Sequence, residues 1–111
     1  MERQSLEYHR TIREHLRTSY LLSEEKIEAV MPKFLETIRT LMSELENLAD
    51  TDNNDTLSRK GHAMKGALLN LGLHDLAEKA LSIEKHNQAP DNTPDCLKLI
   101  NELKQEVEKI I

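Results

Sequence analysis

The stretch "GHAMKGALLNLG", residues 61 to 72, contains a histidine with a lysine three residues later and a glycine four residues later. In a helix, His62, Lys65 and Gly66 share one face, because residues three and four apart are neighbours on its surface. A neutral imidazole is a nucleophile near neutral pH, and a cation one turn away favours that neutral form. If the imidazole takes up a phosphoryl group, the same ammonium helps to hold the dianion. The pair therefore suits reversible phosphoryl transfer better than metal binding, which needs a second ligand rather than a cation.

The apolar pattern around His62 predicts which way this helix faces. At about 100° per residue, one cluster of apolar residues lies opposite His62 and forms the predicted core side: Leu57, Met64, Ala67, Leu68 and Leu71. Four residues lie within about 60° of His62: Arg59, Lys65, Gly66 and Leu69. We call these four residues and His62 the His62 face, and we expect it to point towards solvent.

Two residues of the His62 face are unusual for a solvated helix surface. Gly66 lies mid-helix, where glycine is less stable than alanine by about 1 kcal/mol, and Leu69 is apolar. Both make sense if another protein docks there, since glycine removes an obstruction and leucine supplies an apolar contact. The alternative is that His62 and Lys65 are ordinary solvated residues and that Gly66 lets a neighbouring helix cross closely.

Apolar residues recur at helical spacing along almost the whole chain. Residues 2–20 predict a first helix. Ser23 is expected to cap the next helix, which reaches about Ala49. Pro32 predicts a kink or a new helix start within that segment.

The loop "ADTDNNDT" precedes the helix that carries His62. Asp55 or Thr56 is expected to cap this helix, which runs to Leu71. Gly72 fits the left-handed position that commonly ends a helix.

Two further helices are expected after Gly72. One runs from about His74 to Asn87, with Leu76 and Ile83 in its apolar stripe. After the loop "NQAPDNTPD", Thr93 as N-cap and Pro94 as first helical residue start the last helix. Its apolar residues are spaced 4, 3, 4 and 3 apart, as in a packing seam: Cys96, Ile100, Leu103, Val107 and Ile110.

These elements predict an all-α fold, an antiparallel four-helix bundle with an additional N-terminal helix or helices. We expect residues 1–22 to form an N-terminal helical extension and residues 23–111 to form the bundle. The 111 residues are enough for one domain with a modest core.

Composition excludes several classes of function. The net charge is −5 and no dense Lys/Arg block occurs, so we expect no nucleic-acid partner. No apolar run approaches the length of a membrane span, so we expect no membrane partner. The remaining histidines lack the spacing of a metal site. The single cysteine, Cys96, excludes an internal disulfide, and with the charged start of the chain it favours a cytoplasmic setting.

The residues His62, Lys65 and Gly66 resemble the H-x-x-K-G motif of histidine-containing phosphotransfer (HPt) domains, and the helix layout of residues 24–111 is similar to theirs. The resemblance implies a four-helix bundle with the active histidine exposed midway along one helix. It implies that His62 is the phosphoacceptor, that Lys65 supports the phosphoryl group electrostatically, and that Gly66 gives clearance. Many relatives have serine where this chain has Ala67, and we expect packing to absorb that difference.

The resemblance also implies the role of the protein. His62 would accept a phosphoryl group from the aspartate of a response-regulator receiver domain, including that of a hybrid sensor histidine kinase, and pass it to another receiver. Arg59, Gly66 and Leu69 would bind the partner. The chain would need no cofactor, and magnesium would belong to the receiver, because nothing near His62 in the sequence offers oxygen ligands.

Two other functions were weighed against this one. The dimerisation helix of a histidine kinase usually has an acidic residue directly after its histidine, whereas Ala63 stands here. The chain also contains no Gly-rich nucleotide loop, so we expect a phosphoryl carrier without autokinase activity rather than an enzyme that turns over. The remaining alternative is a non-catalytic helical bundle that docks receivers or other partners without phosphotransfer.

Overall fold

The computed structural model describes residues 3–49, 51, 53–85 and 96–111, and within them the chain forms five helices and no strand. The helices are α1 (Arg3–Ser19), α2 (Glu24–Leu48), α3 (Asn54–Asn70), α4 (His74–Glu84) and α5 (Cys96–Val107). The prediction of an all-α fold is confirmed.

Four of these helices enclose the core. Helix α2 packs against α3, α3 against α4, and α4 against α5. Helix α5 also packs against α2, which closes the four helices into a bundle. Of the residues on the predicted apolar faces of α3, α4 and α5, Ala67 is half-buried. Nine others are at most 5% exposed: Leu57, Met64, Leu68, Leu71, Leu76, Ile83, Ile100, Leu103 and Val107. The remaining apolar positions of the last helix, Cys96 and Ile110, are buried too.

The first helix packs on this bundle through its apolar stripe. Ile12 and Leu16 are fully buried in the same core as the bundle residues. The Tyr8 hydroxyl donates to the Glu106 carboxylate near the end of α5, at 2.8 Å. The division of the chain at residue 22 stays a prediction, although α1 contributes two fully buried side chains to the common core.

Side chains ahead of α2 and α3 satisfy the free amides of the first turns. The Ser23 hydroxyl accepts from the Lys26 amide at 3.2 Å, as predicted. For α3, the cap is Asn53, whose side chain accepts from the Thr56 amide at 3.3 Å. The prediction of Asp55 or Thr56 as the cap is therefore wrong. The helix starts earlier than predicted. Asp55 lies in its first turn, where the helix dipole stabilises a carboxylate.

Pro32 does not divide the second helix. The helix α2 continues from Glu24 to Leu48 with Pro32 inside it, so the prediction of a new helix start is wrong. Proline inside a helix costs about 3 kcal/mol or more. Buried residues precede and follow Pro32 on the same face, from Ile27 and Met31 to Leu45. The free energy gained by burying this continuous apolar stripe outweighs the cost of the proline.

A tight connection joins α3 to α4. Gly72 has φ +75°, the left-handed conformation that we predicted. The Gly72 amide donates to the Leu69 carbonyl and the Leu73 amide to the Leu68 carbonyl, both at 3.0 Å, which is a complete Schellman end. Because α4 begins two residues after Gly72, the two helices form an antiparallel hairpin.

The fourth helix ends at Glu84, earlier than the predicted end near Asn87. Asn87 itself, and the predicted cap of the last helix at Thr93 and Pro94, lie outside the described residues. None of the helices that the structure describes has the length and apolar character to cross a membrane.

Candidate functional site

His62 lies midway along α3 and projects away from the core. Its side chain is 66% exposed, whereas Met64 and Leu68 on the opposite side of the helix are fully buried. The orientation that the apolar pattern predicted is therefore confirmed, and the imidazole is open to a large partner.

A carboxylate from the neighbouring helix meets this imidazole. Glu84, the last residue of α4, places its Oε1 atom 3.3 Å from Nδ1 of His62. The same oxygen lies 3.3 Å from Nζ of Lys65. Glu84 was not predicted from the sequence, and the expectation that nothing near His62 offers an oxygen ligand is wrong. This carboxylate already pairs with Lys65, and among the described residues no group of three or more histidine, cysteine or acidic side chains could hold a metal ion.

The surroundings of Glu84 determine its charge. Burial raises the pKa of this carboxyl group, but the hydrogen bonds from Lys65 and His62 and the charges of both outweigh burial and bring the pKa below its ordinary value. Glu84 is therefore ionised at neutral pH and can only accept hydrogen bonds. A hydrogen bond between the two therefore needs the hydrogen on Nδ1 of His62, and in the neutral imidazole this arrangement leaves the lone pair on Nε2.

Lys65 is less exposed than an ordinary surface lysine. Its side chain is 24% exposed and lies against Glu84 on the side of the His62 face nearest α4. The sequence places two cations beside His62, Arg59 and Lys65. The structure adds a carboxylate, because Oε1 of Glu84 lies 3.3 Å from both the imidazole and the Lys65 ammonium.

Ser58 and Gly61 hold the end of α4 against α3. The Ser58 hydroxyl donates to the Glu84 backbone carbonyl at 2.8 Å. A Cβ at Gly61 would lie 2.9 Å from the Glu84 backbone nitrogen and 3.0 Å from its Cα, which is closer than a side chain tolerates against backbone. Glycine at this position thus allows the close approach that brings Glu84 to His62.

Gly66 has different surroundings from Gly61. It is exposed, and a Cβ built on it would meet no atom of the described residues within 4 Å. The alternative that Gly66 exists to let a neighbouring helix cross is therefore wrong, and the glycine with that role is Gly61. Because Gly66 has no side chain, the helix surface one turn from His62 is accessible to a partner.

The other residues of the His62 face also lie at the surface. Arg59 is exposed, and its Nη2 donates to the Thr56 hydroxyl at 3.3 Å. Leu69 is 40% exposed. Ala67, where many relatives have serine, is half-buried against the core, as the helical angle predicted.

Glu84 could have been found by counting outward from the turn. In an antiparallel hairpin, residues at equal separations from the turn lie opposite each other. Eleven positions before Gly72 is Gly61, and eleven positions after it is Ile83, so α4 ends beside His62. The count would have placed Glu84 at the site, but it would not have shown which way the Glu84 side chain points.

The chain was also compared with known proteins. The family model for the Hpt domain matches residues 29–111. No curated protein and no solved structure gave a significant match. The matched region is well over half of the chain and contains His62, Lys65 and Glu84, so the chain belongs to the Hpt domain family.

Proposed function

We propose that this protein is a phosphoryl carrier in a multistep phosphorelay, in which His62 accepts a phosphoryl group from the aspartate of a receiver domain and passes it to another receiver. Its membership of the Hpt family supports a role in phosphotransfer. The observation that carries the finer assignment is the contact of Glu84 with Nδ1 of His62, on an imidazole that is otherwise exposed.

The transfer step follows from the state of the imidazole. With the hydrogen on Nδ1 and a lone pair on Nε2, the nucleophile is Nε2. Its lone pair forms the N–P bond while the P–O bond to the receiver's aspartate breaks, and the carboxylate leaves with that electron pair. No proton has to move, because the ring becomes a phosphorylated cation that retains the hydrogen on Nδ1. Glu84 lies beside that hydrogen and balances the new positive charge.

Glu84 and Lys65 stabilise different parts of the phosphorylated imidazole. Glu84 stabilises the positive ring, while Lys65 on the same face attracts the phosphoryl oxygens. The same contacts serve the reverse step, in which a second receiver's aspartate attacks phosphorus and the imidazole leaves from Nε2. The chain acts as a carrier, and we expect it to have no kinase activity of its own.

The partner surface consists of Arg59, Gly66 and Leu69. They lie around His62 at the surface, and the space above Gly66 lets a second protein come close to the imidazole. The magnesium ion that the reaction uses would be held by the receiver, since Glu84 is bound by Lys65 and lacks further carboxylates nearby in the part of the chain that is described. The proposal places the protein in the cytoplasm with its receiver partners.

The proposed function is tested by measuring phosphoryl transfer from purified receiver domains to this protein. Receiver domains from hybrid kinases and from response regulators are phosphorylated with labelled acetyl phosphate, freed of excess donor and mixed with the wild-type protein, with His62→Gln or with His74→Gln. His74 is the matched control, because it is an exposed histidine on the adjacent helix. We expect label on the wild type and on His74→Gln, none on His62→Gln, and transfer onward to a second receiver.

Two results would contradict the proposal. If no receiver labels the wild type, or if His62→Gln is labelled as well as the wild type, His62 is not the acceptor. Binding of receivers without any transfer would instead support the alternative of a non-catalytic interaction module.

A further inference from the structure

Two exposed residues between α1 and α2 are unusual for a surface turn. Tyr20 is 49% exposed and Leu21 is 83% exposed. Leu21 also has φ +57°, a left-handed conformation that is unfavourable for a leucine by roughly 1 kcal/mol or more. Glycine or asparagine would fit this backbone better and would expose less apolar surface. We call Tyr20 and Leu21 the α1–α2 corner.

The α1–α2 corner is attached to the helix that carries His62. The Tyr20 hydroxyl donates to the Asn70 side-chain oxygen at 3.2 Å, and Asn70 is the last residue of α3. The Tyr20 ring also meets the His15 ring edge-on, with 5.6 Å between centroids. These contacts hold an aromatic side chain beside Asn70 at the end of α3.

The end of α3 to which Tyr20 is attached lies within reach of a partner that covers His62. Asn70 comes eight residues after His62, which is about 12 Å along a helix axis. A typical interface covers about 800 Å² on each partner, equivalent to a disc of roughly 16 Å radius. A protein centred on His62 would therefore reach the end of α3, where the Tyr20 hydroxyl binds Asn70.

We propose that Tyr20 and Leu21 extend the His62 face into one docking surface, whose occupant is a receiver domain with an apolar patch beside its phosphorylated aspartate. The inference rests on the proposed function and adds residues to it. Both residues precede the region matched by the Hpt family model, which begins at residue 29. The corner thus supplies contacts that distinguish one receiver from another, while the His62 face supplies the chemistry.

The test uses substitutions that suit the backbone of Leu21 but remove its apolar side chain. Leu21→Asn and Leu21→Gly both tolerate a left-handed conformation, so both variants should melt at or above the wild-type temperature. The receiver that phosphorylates the wild type fastest is activated with beryllium fluoride and titrated by fluorescence anisotropy. We expect both variants to bind it about tenfold more weakly, as for an apolar contact within an interface.

The matched control is Leu6→Asn. Leu6 is a 56% exposed leucine on α1, fifteen residues before Leu21, which places it about 20 Å from the corner along the helix. We expect this variant to bind the receiver like the wild type. Phosphorylation of His62 by phosphoramidate, a small donor that needs no docking surface, should be the same in all four proteins.

Each other outcome decides against the inference. If the wild type accepts phosphate from no receiver, the proposed function fails and this inference fails with it. If the wild type transfers normally and the Leu21 variants bind as tightly as the wild type, the inference alone is overturned. If binding is unchanged but wild-type dimers become monomers in the Leu21 variants by sedimentation, the corner pairs two copies of this chain and does not bind a receiver.

Discussion

Alanine at Gly61 and alanine at Gly66 are expected to have different effects, although both are glycines within α3. At Gly66 the added Cβ enters open space, so Gly66→Ala should stabilise the helix by about 0.5–1 kcal/mol. At Gly61 the same Cβ lies 2.9 Å from the backbone nitrogen of Glu84. Backbone cannot rotate away as a side chain can, so α4 must shift outward.

The magnitude follows from a comparison of the two variants. Both gain the same helix propensity, so that contribution cancels, and the difference between them is the overpacking at Gly61, about 1–3 kcal/mol. At about 2.1 cal/mol/K per residue for the entropy of unfolding, 111 residues convert this into roughly 4–13 °C in Tm. Gly66→Ala should melt above the wild type, and Gly61→Ala should melt below Gly66→Ala by this amount.

Substitutions at the two glycines should also reduce phosphoryl transfer for different reasons. Gly61→Ala moves Glu84 away from His62 and should slow phosphorylation of the folded protein. At Gly66 a side chain acts on the partner instead, so Gly66→Leu should melt within a few degrees of the wild type and yet lose most receiver-dependent transfer. Calorimetry and transfer from a phosphorylated receiver are measured on the same samples. Equal Tm changes for the two alanine variants, or full transfer by Gly66→Leu, would refute the reasoning.

Three other predictions concern the charges of the structure. Glu84→Gln should slow transfer about tenfold, because a hydrogen bond to a charged group is worth roughly 1.5 kcal/mol; an unchanged rate would remove Glu84 from the mechanism. Lys65→Ala should shorten the phosphohistidine half-life with a modest loss of stability, since its ion pair with Glu84 is partly buried but still reached by solvent, and such pairs contribute about 1 kcal/mol. Desolvation by burial, with the hydrogen bond to Glu106, raises the pKa of Tyr8 to about 12. In Tyr20→Phe the absorbance at 295 nm should therefore titrate near this value, and stability should fall as pH rises above about 10, where the unfolded tyrosine ionises first.

The apolar pattern was sufficient to predict the core and the orientation of α3. Leucine, isoleucine and methionine recur at helical spacing with few exceptions, so one face of each helix is defined without reference to its neighbours. The left-handed Gly72 was predictable for a similar reason, since the sterics that favour glycine there are local.

The new helix start at Pro32 and the cap of α3 were mispredicted because their local signals conflict with other interactions. Proline disfavours a helix interior, but the buried stripe on both sides of Pro32 holds α2 together. In the loop before α3, several Asn and Asp residues could cap a helix, and local preference does not choose among them. Asn53 is the cap because the helix begins at the next residue, Asn54.

Glu84 could not be identified from residue spacing on one helix. Its role depends on the distance between α3 and α4, which is set by the absence of a side chain at Gly61. Spacing within α3 points to Gly66, which faces open space. It does not point to Gly61, whose close neighbour is the Glu84 backbone on α4.

The central claim is that Nε2 of His62 carries the phosphoryl group while Glu84 holds the hydrogen on Nδ1. The most direct measurement is a long-range ¹H–¹⁵N correlation spectrum of protein labelled with ¹⁵N-histidine, recorded before and after phosphorylation by a receiver. We predict that His62 starts with its hydrogen on Nδ1 and that only its Nε2 resonance then gains coupling to phosphorus. Phosphorus on Nδ1 of His62, or on any other histidine, would contradict the account.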